Sequence, residues 1–486
     1  MSESSRTVDV AVIGAGSAGL VARRQALAHG AKRVLLIEGG PYGTTCARVG
    51  CMPSKLLIAA ADAAHDARHA ETFGVRAQSV EIDGRAVMAR LRRERDRFAG
   101  FVVDASEKLS PDEALRGWAR FVGPGRLLVR DEEGRETSVE AKAIVVATGS
   151  KPHLPPPLRD KGPRVLTTDE IFELETLPRS LAVVGSGPIG LELGQAMTRL
   201  GVRTRIFDIA DHLGVLPSPI MRERAQTLLA KELDLQLGVD ELTVDVVEDG
   251  LQLSWTDNEG RAQRDEFEYV LAATGRRPQL ERLDLAAAEV ELDERGMPKG
   301  WDPRTGQIGE HPIFLAGDVV GDRPLLHEAA AEGRIAGINA GRWPEVRALV
   351  RYIPLAIVFS DPQIALVGTI PSEDPDDPAR DWEFGEVDLS SQGRARVMAV
   401  NQGFIRVYAK HACGTIIGAE ILGPRAEHLA HLLAWSIEQG LTAQRALTMP
   451  YYHPVIEEGL RTAMQELAAK LKLIARAQPL DCGPGA

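Results

Sequence analysis

Cysteine is scarce, with 4 residues in a chain of 486, too few for the disulfide framework that holds small secreted domains together. Any bridge is therefore expected to be chemical rather than structural. Positive charge is also in deficit. Lys plus Arg number 57 against 69 Asp plus Glu, a formal net charge of −12, which repels phosphate backbones and leaves no basic footprint for nucleic acid or an anionic membrane. No apolar run approaches the ~20 residues that cross a bilayer, and the polar start from Met1 to Asp9 has no apolar signal core behind it. A cytoplasmic location and small-molecule or protein partners are expected. What is present is ordinary for a globular protein: 44% hydrophobic and 26% charged residues. The length corresponds to about three domains at roughly 100–200 residues each.

Val8 to Ile13 is a short apolar run that leads directly into Gly14-Ala15-Gly16-Ser17-Ala18-Gly19, followed by a helix-forming stretch from Leu20 to His29. A second apolar run, Val34 to Ile37, ends in Glu38, 19 residues past Gly19. This is the strand, glycine turn, helix, strand order of a dinucleotide fold. Its glycines allow a tight turn, close approach of a pyrophosphate to the helix N-terminus, and close helix–strand packing, while the acid accepts from a ribose diol. The pattern recurs downstream. Leu181 to Val184 leads into Gly185-Ser186-Gly187-Pro188-Ile189-Gly190, and Arg205 to Phe207 ends in Asp208, 18 residues past Gly190. Each copy is followed by a strand ending in Ala-Thr-Gly, with Thr148 and Gly149 in the first and Gly275 closing the second. The duplication reads as two nucleotide-binding domains. Asp208 suits a free ribose 2′-hydroxyl, and Ile209 to Gly214 contain no arginine to neutralise a 2′-phosphate. NAD is favoured over NADP.

From about Tyr352 the pattern changes to short strands, Ile364 to Val367, Gly403 to Tyr408 and Thr415 to Leu422, with helical stretches at Glu427 to Gln439 and Ile456 to Leu473. This is a third, α+β unit. The acidic, proline-rich stretch Pro371 to Asp381 reads as a solvated loop.

Cys46 and Cys51 follow the first fingerprint closely. In a regular helix, residues five apart are separated by about 7.5 Å along the axis and about 140° around it. That misses the Cα separation of roughly 4.4–6.8 Å that a disulfide needs. Bridging requires a distorted turn at a helix start, which Gly50 permits, and a helix beginning at Cys51 would favour negative charge there. Two buried thiols are the plain alternative. A metal site lacks a second cysteine pair at ligand spacing, and His65 and His69, four apart on a helix, have no sequence partner. The position beside a nucleotide fingerprint decides for redox chemistry.

Cys46-Ala47-Arg48-Val49-Gly50-Cys51-Met52-Pro53-Ser54-Lys55, together with the two fingerprints, resembles the class I flavin disulfide reductases: dihydrolipoamide dehydrogenase, glutathione reductase and mercuric reductase. The similarity runs from Val8 to about Leu473. Gly117 to Phe121 is similar to the segment whose backbone contacts the flavin adenine, which implies Ala119 as the contact. Ile313 to Asp318 resembles the strand whose Gly317-Asp318 end meets the ribityl chain of FAD. The family's lysine–glutamate ion pair beside flavin N5 implies Lys55 and Glu192 here. His453-Pro454-Val455-Ile456-Glu457-Glu458 is similar to its His-Pro-x-x-x-Glu. The proline keeps His453 in a loop and itself suits a first helical turn, with Glu458 on the helix. Glu458 would hold one imidazole nitrogen and leave the other to take a proton. In the family this histidine reaches the disulfide of the opposite subunit, which implies an obligate homodimer.

The chain departs from the family at Arg48, usually asparagine, at Thr44, usually glycine, and at Tyr451, which replaces the first histidine of His-x-His-Pro. The lone Cys482 lacks the partner that mercuric reductase has at its C-terminus, and Cys413 reads as inert. No room is expected before Val8 for a metal-binding or lipoyl domain. The expected architecture is α/β: FAD-binding residues 1–150 and 283–350, NAD-binding residues 151–282, an α+β dimerisation domain over 351–473 and a tail over 474–486. The resemblance implies a dihydrolipoamide dehydrogenase-like enzyme that uses FAD and NAD and no metal. Cys46 would exchange with a dithiol such as free or protein-bound lipoamide, Cys51 would lie on the flavin, and His453 with Glu458 would handle the proton. The alternatives are an NADH-dependent reductase of another small disulfide or a metal ion, and a redox-sensing flavoprotein that has lost catalysis.

Overall fold

The computed structural model describes residues 4–372 and 380–473. Its chain divides into two compact units, the first formed by Met1–Pro53, Arg90–His153 and Gly275–Tyr352 and the second by Ser54–Ala89, Leu154–Thr274 and Ile353–Ala486.

The first unit is built on a seven-stranded sheet. The apolar run at its centre is the strand Ser4–Ile13, paired in parallel with Val34–Glu38 on one side and Glu136–Val146 on the other. Ile313–Leu315 joins Glu136–Val146 in parallel, while Trp118–Gly123 and Arg126–Arg130 extend the sheet antiparallel. The central strands are buried on both faces, which is why they read as unbroken apolar runs rather than as an alternation. The helix Ser17–Ala28 begins three residues before the Leu20 expected from the sequence, because Gly19 packs within its first turn instead of preceding it. This helix lies against Leu326–Arg342. Gly333, Gly337 and Gly341 of the second helix face the backbones of Ala18, Ala22 and Ala26 in turn, and a Cβ at Gly341 would stand only 2.6 Å from the Ala26 carbonyl oxygen. The alanine–glycine ladder lets the two backbones approach directly.

The second unit contains a five-stranded parallel sheet in the order Asp234–Leu237, Arg203–Asp208, Ser180–Val184, Tyr269–Ala272, Val165–Leu166. A three-stranded antiparallel sheet, Asp240–Val247, Gly250–Thr256 and Ala262–Phe267, packs Leu251, Leu253, Trp255 and Phe267 into the same core. A five-stranded antiparallel sheet is formed by residues 355–423 in the order Leu355–Val358, Gln363–Gly368, Ile416–Gly423, Phe404–Lys410, Trp382–Asp388. The helices Ala426–Glu438 and Glu458–Lys470 share its core. These elements match the expected α+β region to within a few residues. The last helix starts at Glu458, so Pro454 lies in the preceding loop and not in its first turn. Residues 373–379 of the acidic loop and the tail with Cys482 lie outside the described residues. Among the described residues no helix is long and apolar enough to cross a membrane.

Candidate active site

The two glycine loops have the same geometry residue for residue. Gly14 and Gly185 turn at φ +108° and +111°, where a Cβ would overlap the carbonyl oxygens of Ala147 and Ala273. Gly19 and Gly190 pack back on the carbonyls of Gly14 and Gly185. Gly16 and Gly187 cap their helices and behave differently, for nothing lies within 4 Å of where a Cβ would stand. Each loop thus presents bare backbone and a helix N-terminus to open space, a cradle that fits a dinucleotide pyrophosphate. The expected acids close the loops. Glu38 accepts from Ala15 N and Gly40 N, both at 2.7 Å. Asp208 accepts from Ser186 N and Oγ, both at 2.6 Å, and from Ala210 N at 3.0 Å.

In the first unit, Ala119 is buried on its strand opposite Val129. The return turn gathers several predicted residues. Thr148 Oγ1 donates to Gln279 O (2.7 Å), Gln279 N to Gly149 O (2.9 Å), and His153 N to Gly275 O (3.0 Å). Ser150 Oγ donates to Asp318 Oδ2 (2.8 Å). Gly317 N donates to the buried Glu332 at 2.8 Å, and Arg351 reaches the other oxygen of that carboxyl, also at 2.8 Å. Burial pushes Glu332 up to about 7, against the opposing pull of the Gly317 amide.

The cysteine segment has the local break that a regular helix would lack. A short helix, Thr45–Val49, stops at Gly50, and a new helix, Cys51–His69, begins at Cys51. Gly50 folds against Cys46 so closely that a Cβ would lie 3.2 Å from the Cys46 Cα. Cys46 is half-buried and Cys51 exposed. Cys51 is the first residue of a helix of 19 residues, where negative charge is favoured. Thr44 caps the short helix by accepting from Ala47 N (3.2 Å), with its own backbone at φ +60°, ψ +149°, a region that belongs almost wholly to glycine. Arg48 lays its chain over Gly43, and its carbonyl accepts from Arg95 at 3.5 Å.

In the second unit, Lys55 Nζ pairs with Glu192 Oε2 at 2.6 Å. Glu192 is buried on the helix Pro188–Arg199, and its other oxygen accepts from Phe359 N at 3.0 Å. Near the C-terminus, Glu458 Oε1 accepts from His453 Nδ1 at 2.9 Å, and Val455 N donates to Glu458 Oε2 at 3.2 Å. Glu458 is buried, whereas the His453 side chain is 64% exposed. Nδ1 is thereby engaged, which leaves Nε2 as the ring nitrogen outside this contact. Tyr451 turns its hydroxyl inward to the Ala446 carbonyl (3.5 Å), and burial raises its phenol. Cys413 is exposed and hydrogen-bonded to the Thr415 hydroxyl, which lowers its thiol.

The sequence reading missed one group of residues. Gln195 and Arg199 follow Glu192 at helical spacing, are buried like it, and bind Asp361. Arg199 also pairs with Glu232 at 2.7 Å and Asp62 at 3.0 Å. Burial opposes the charge on Glu232, but hydrogen bonds from His65 and Arg199 outweigh it and hold that carboxyl at about 2. Glu192, Gln195 and Arg199 at spacing i, i+3, i+7 on a largely apolar helix were the available signal.

The profile of the pyridine nucleotide-disulphide oxidoreductase family matches residues 8–333, and that of its dimerisation domain matches residues 354–464. The chain belongs to this family. It is similar to dihydrolipoyl dehydrogenases from Halobacterium salinarum, at 32% identity over 95% of this chain and 96% of that one, and from Geobacillus stearothermophilus, at 30% identity over 96% and 97%. In structure it is similar to LpdA of Mycobacterium tuberculosis, with TM-score 0.82 and 25% identity over 95% of this chain and 100% of that one. The expected architecture of two dinucleotide-binding domains and a C-terminal dimerisation domain is borne out, as is the class of enzyme: a disulfide oxidoreductase that uses FAD and NAD.

Proposed function

We propose that the protein oxidises a small dithiol of the dihydrolipoamide type, free or protein-bound, and delivers the two electrons to NAD. The observation that carries this reading is the helix break at Gly50, which packs Gly50 on Cys46 and starts a new helix at Cys51, in the segment that follows the first nucleotide fingerprint. Gly14, Gly16, Gly19 and Glu38 would hold FAD, which when bound would supply a two-electron carrier between a dithiol pair and NAD. The remaining chemistry belongs to side chains. His453 Nε2 takes the proton of one substrate thiol, and the resulting thiolate attacks Cys46 Sγ. The Cys46–Cys51 bond breaks, and Cys51 leaves as a thiolate favoured by the helix N-terminus. The second substrate thiol then attacks the substrate sulfur of the mixed disulfide and its proton passes to Cys46 as that sulfur leaves, so the oxidised substrate is released and the two electrons now reside in the cysteine pair. Glu458 keeps Nδ1 engaged and so fixes which nitrogen works. The protein is proposed to be an obligate homodimer, in which His453 of one protomer serves the cysteine pair of the other. Asp208 selects NAD by accepting from the 2′-hydroxyl, and Lys55 with Glu192 forms the ion pair at the hydride-transfer position.

Two measurements test the reading. Anaerobic titration of the holoenzyme with NADH should produce the long-wavelength band of a thiolate beside a flavin. Steady-state rates with lipoamide, glutathione disulfide and mercuric ion should rank lipoamide first. Absence of the band would point to a flavoprotein without dithiol chemistry, and a higher rate with glutathione disulfide or mercuric ion would assign the other substrate.

A further inference from the structure

Residues 359–361 form a short strap that is fastened to one face of the helix Pro188–Arg199 at three successive points. Phe359 N donates to Glu192 Oε1 at 3.0 Å, Asp361 N donates to Gln195 Oε1 at 2.7 Å, and the Asp361 carboxylate pairs with Arg199 at 2.8 Å. Gln195 Nε2 returns a bond to the Asp361 carbonyl at 2.8 Å. Glu192, Gln195 and Arg199 are all buried, so the helix side of each bond is shielded from water, while the Asp361 side chain at the end of the strap is 47% exposed. The strap does more than hold backbone. The Phe359 ring lies under the Lys55 ammonium, 4.5 Å from Nζ to the ring centroid, while the Phe359 amide holds the carboxylate to which that ammonium is bound. One residue therefore touches both members of the ion pair by two different interactions.

We propose that Phe359 is a positioning residue for hydride transfer: its ring confines the Lys55 ammonium and its amide confines the Glu192 carboxylate, so that the pair presents one fixed charge arrangement. This rests on the assignment of Lys55 and Glu192 to the hydride-transfer position. The physical basis is that a lysine ammonium is a compact charge on a flexible stem of four carbons. A single ion-pair partner limits its distance to the carboxylate but leaves it free to swing around it. The negative face of an aromatic ring on another side removes that freedom.

The backbone amide survives any substitution at 359 other than proline, so side-chain variants isolate the ring. Phe359→Leu should slow reduction of the bound flavin by NADH, measured by stopped flow, about five- to tenfold, the range expected for loss of one partly desolvated cation–π contact. NADH affinity should stay within twofold, and the visible absorption of the oxidised holoenzyme should move in the same direction as in Lys55→Met. Phe359→Tyr, which keeps the ring, should restore both rate and spectrum. In the Lys55→Met background Phe359→Leu should add nothing, since the two act as a unit. Phe359→Met serves if the leucine variant does not hold its flavin, with the same expected slowing. Wild-type rate and spectrum in Phe359→Leu or Phe359→Met, alongside a slow Lys55→Met, would overturn the role of Phe359 and leave the ion-pair assignment standing. A tyrosine variant as slow as the leucine one would also overturn it. Wild-type behaviour in Lys55→Met would overturn the assignment of the ion pair itself, and the role of Phe359 with it.

Discussion

The second and third glycines of the fingerprint Gly185 to Gly190 should separate binding from folding when each receives a single methyl group. At Gly187 the added Cβ meets no protein atom within 4 Å, and the backbone, at φ −71° and ψ −176°, is open to alanine. The gain from a less flexible unfolded chain, about 0.4–1 kcal/mol, is offset by alanine being a poorer helix cap than glycine. Stability without nucleotide should therefore change by less than about 0.5 kcal/mol. The methyl would instead occupy the space that a pyrophosphate needs. A weakening of NADH binding by about 10- to 100-fold, or roughly 1.4–2.8 kcal/mol, is expected. At Gly190 the order of effects reverses. The Cβ would overlap the Gly185 carbonyl on one side and crowd the Ala273 Cβ at 3.4 Å on the other. Neither neighbour is the end of a flexible chain, so the cost belongs at the upper end of overpacking, about 3 kcal/mol, which for a domain of this size is roughly 10 °C in melting temperature. Fluorescence titration with NADH and thermal melts of Gly187→Ala and Gly190→Ala give both quantities. Wild-type NADH affinity in Gly187→Ala, or a wild-type melting temperature in Gly190→Ala, would refute the reasoning.

Cys46→Ser should abolish dithiol turnover while leaving the flavin reducible by NADH, because the exchange thiol is lost and Cys51 is retained; undiminished lipoamide activity would count against the assignment. Asp208→Ala should lower the preference for NAD over NADP, read as the ratio of kcat/KM values, and an unchanged ratio would reject the ribose-binding role. Glu232→Gln should destabilise the protein by about 1–3 kcal/mol at pH 7, with allowance for a side chain still reached by solvent. The folded carboxyl is held at about 2 against 4.5 for an unperturbed glutamate, so its contribution is present above 4.5 and is lost as pH falls through about 2. The difference between variant and wild type in denaturant melts should shrink over that window, and a constant difference would show that the Arg199 pairing is not its source.

Both glycine loops and their acids were legible in the sequence because the signal is local. A turn, a cap and a strand end lie within about thirty residues, and the strands beside them are buried on both faces, so they appear as short apolar runs. The α+β region was legible for the same reason, through period and punctuation. The pairing of Lys55 with Glu192 spans 137 residues and of Glu192 with Phe359 spans 167; the first was available only through family resemblance and the second not at all. Phe359 reads in sequence as one more apolar residue after a strand, since nothing local shows that its amide and its ring serve the same ion pair. Gly333, Gly337 and Gly341 were missed for a different reason. Glycine within a helix ordinarily lowers its stability, and only the facing alanines, some 315 residues away in the chain, turn the defect into a contact.

The two loop-closing acids also differ in a way that the shared fingerprint conceals. An ionised carboxylate offers about four acceptor positions. Among the described residues, Glu38 uses two of them, on Ala15 N and Gly40 N, and keeps two, as many as the hydroxyls of one ribose diol. Asp208 uses three, two on Ser186 and one on Ala210 N, and keeps one. The shorter side chain is thus better anchored before the nucleotide arrives and has less to offer it afterwards, unless the Ser186 hydroxyl rotates away. That asymmetry fits a first site whose cofactor stays through every turnover and a second whose cofactor must leave after each one, because the same acid-and-glycine device can be tuned toward retention or release by how many of its acceptor positions the loop itself consumes.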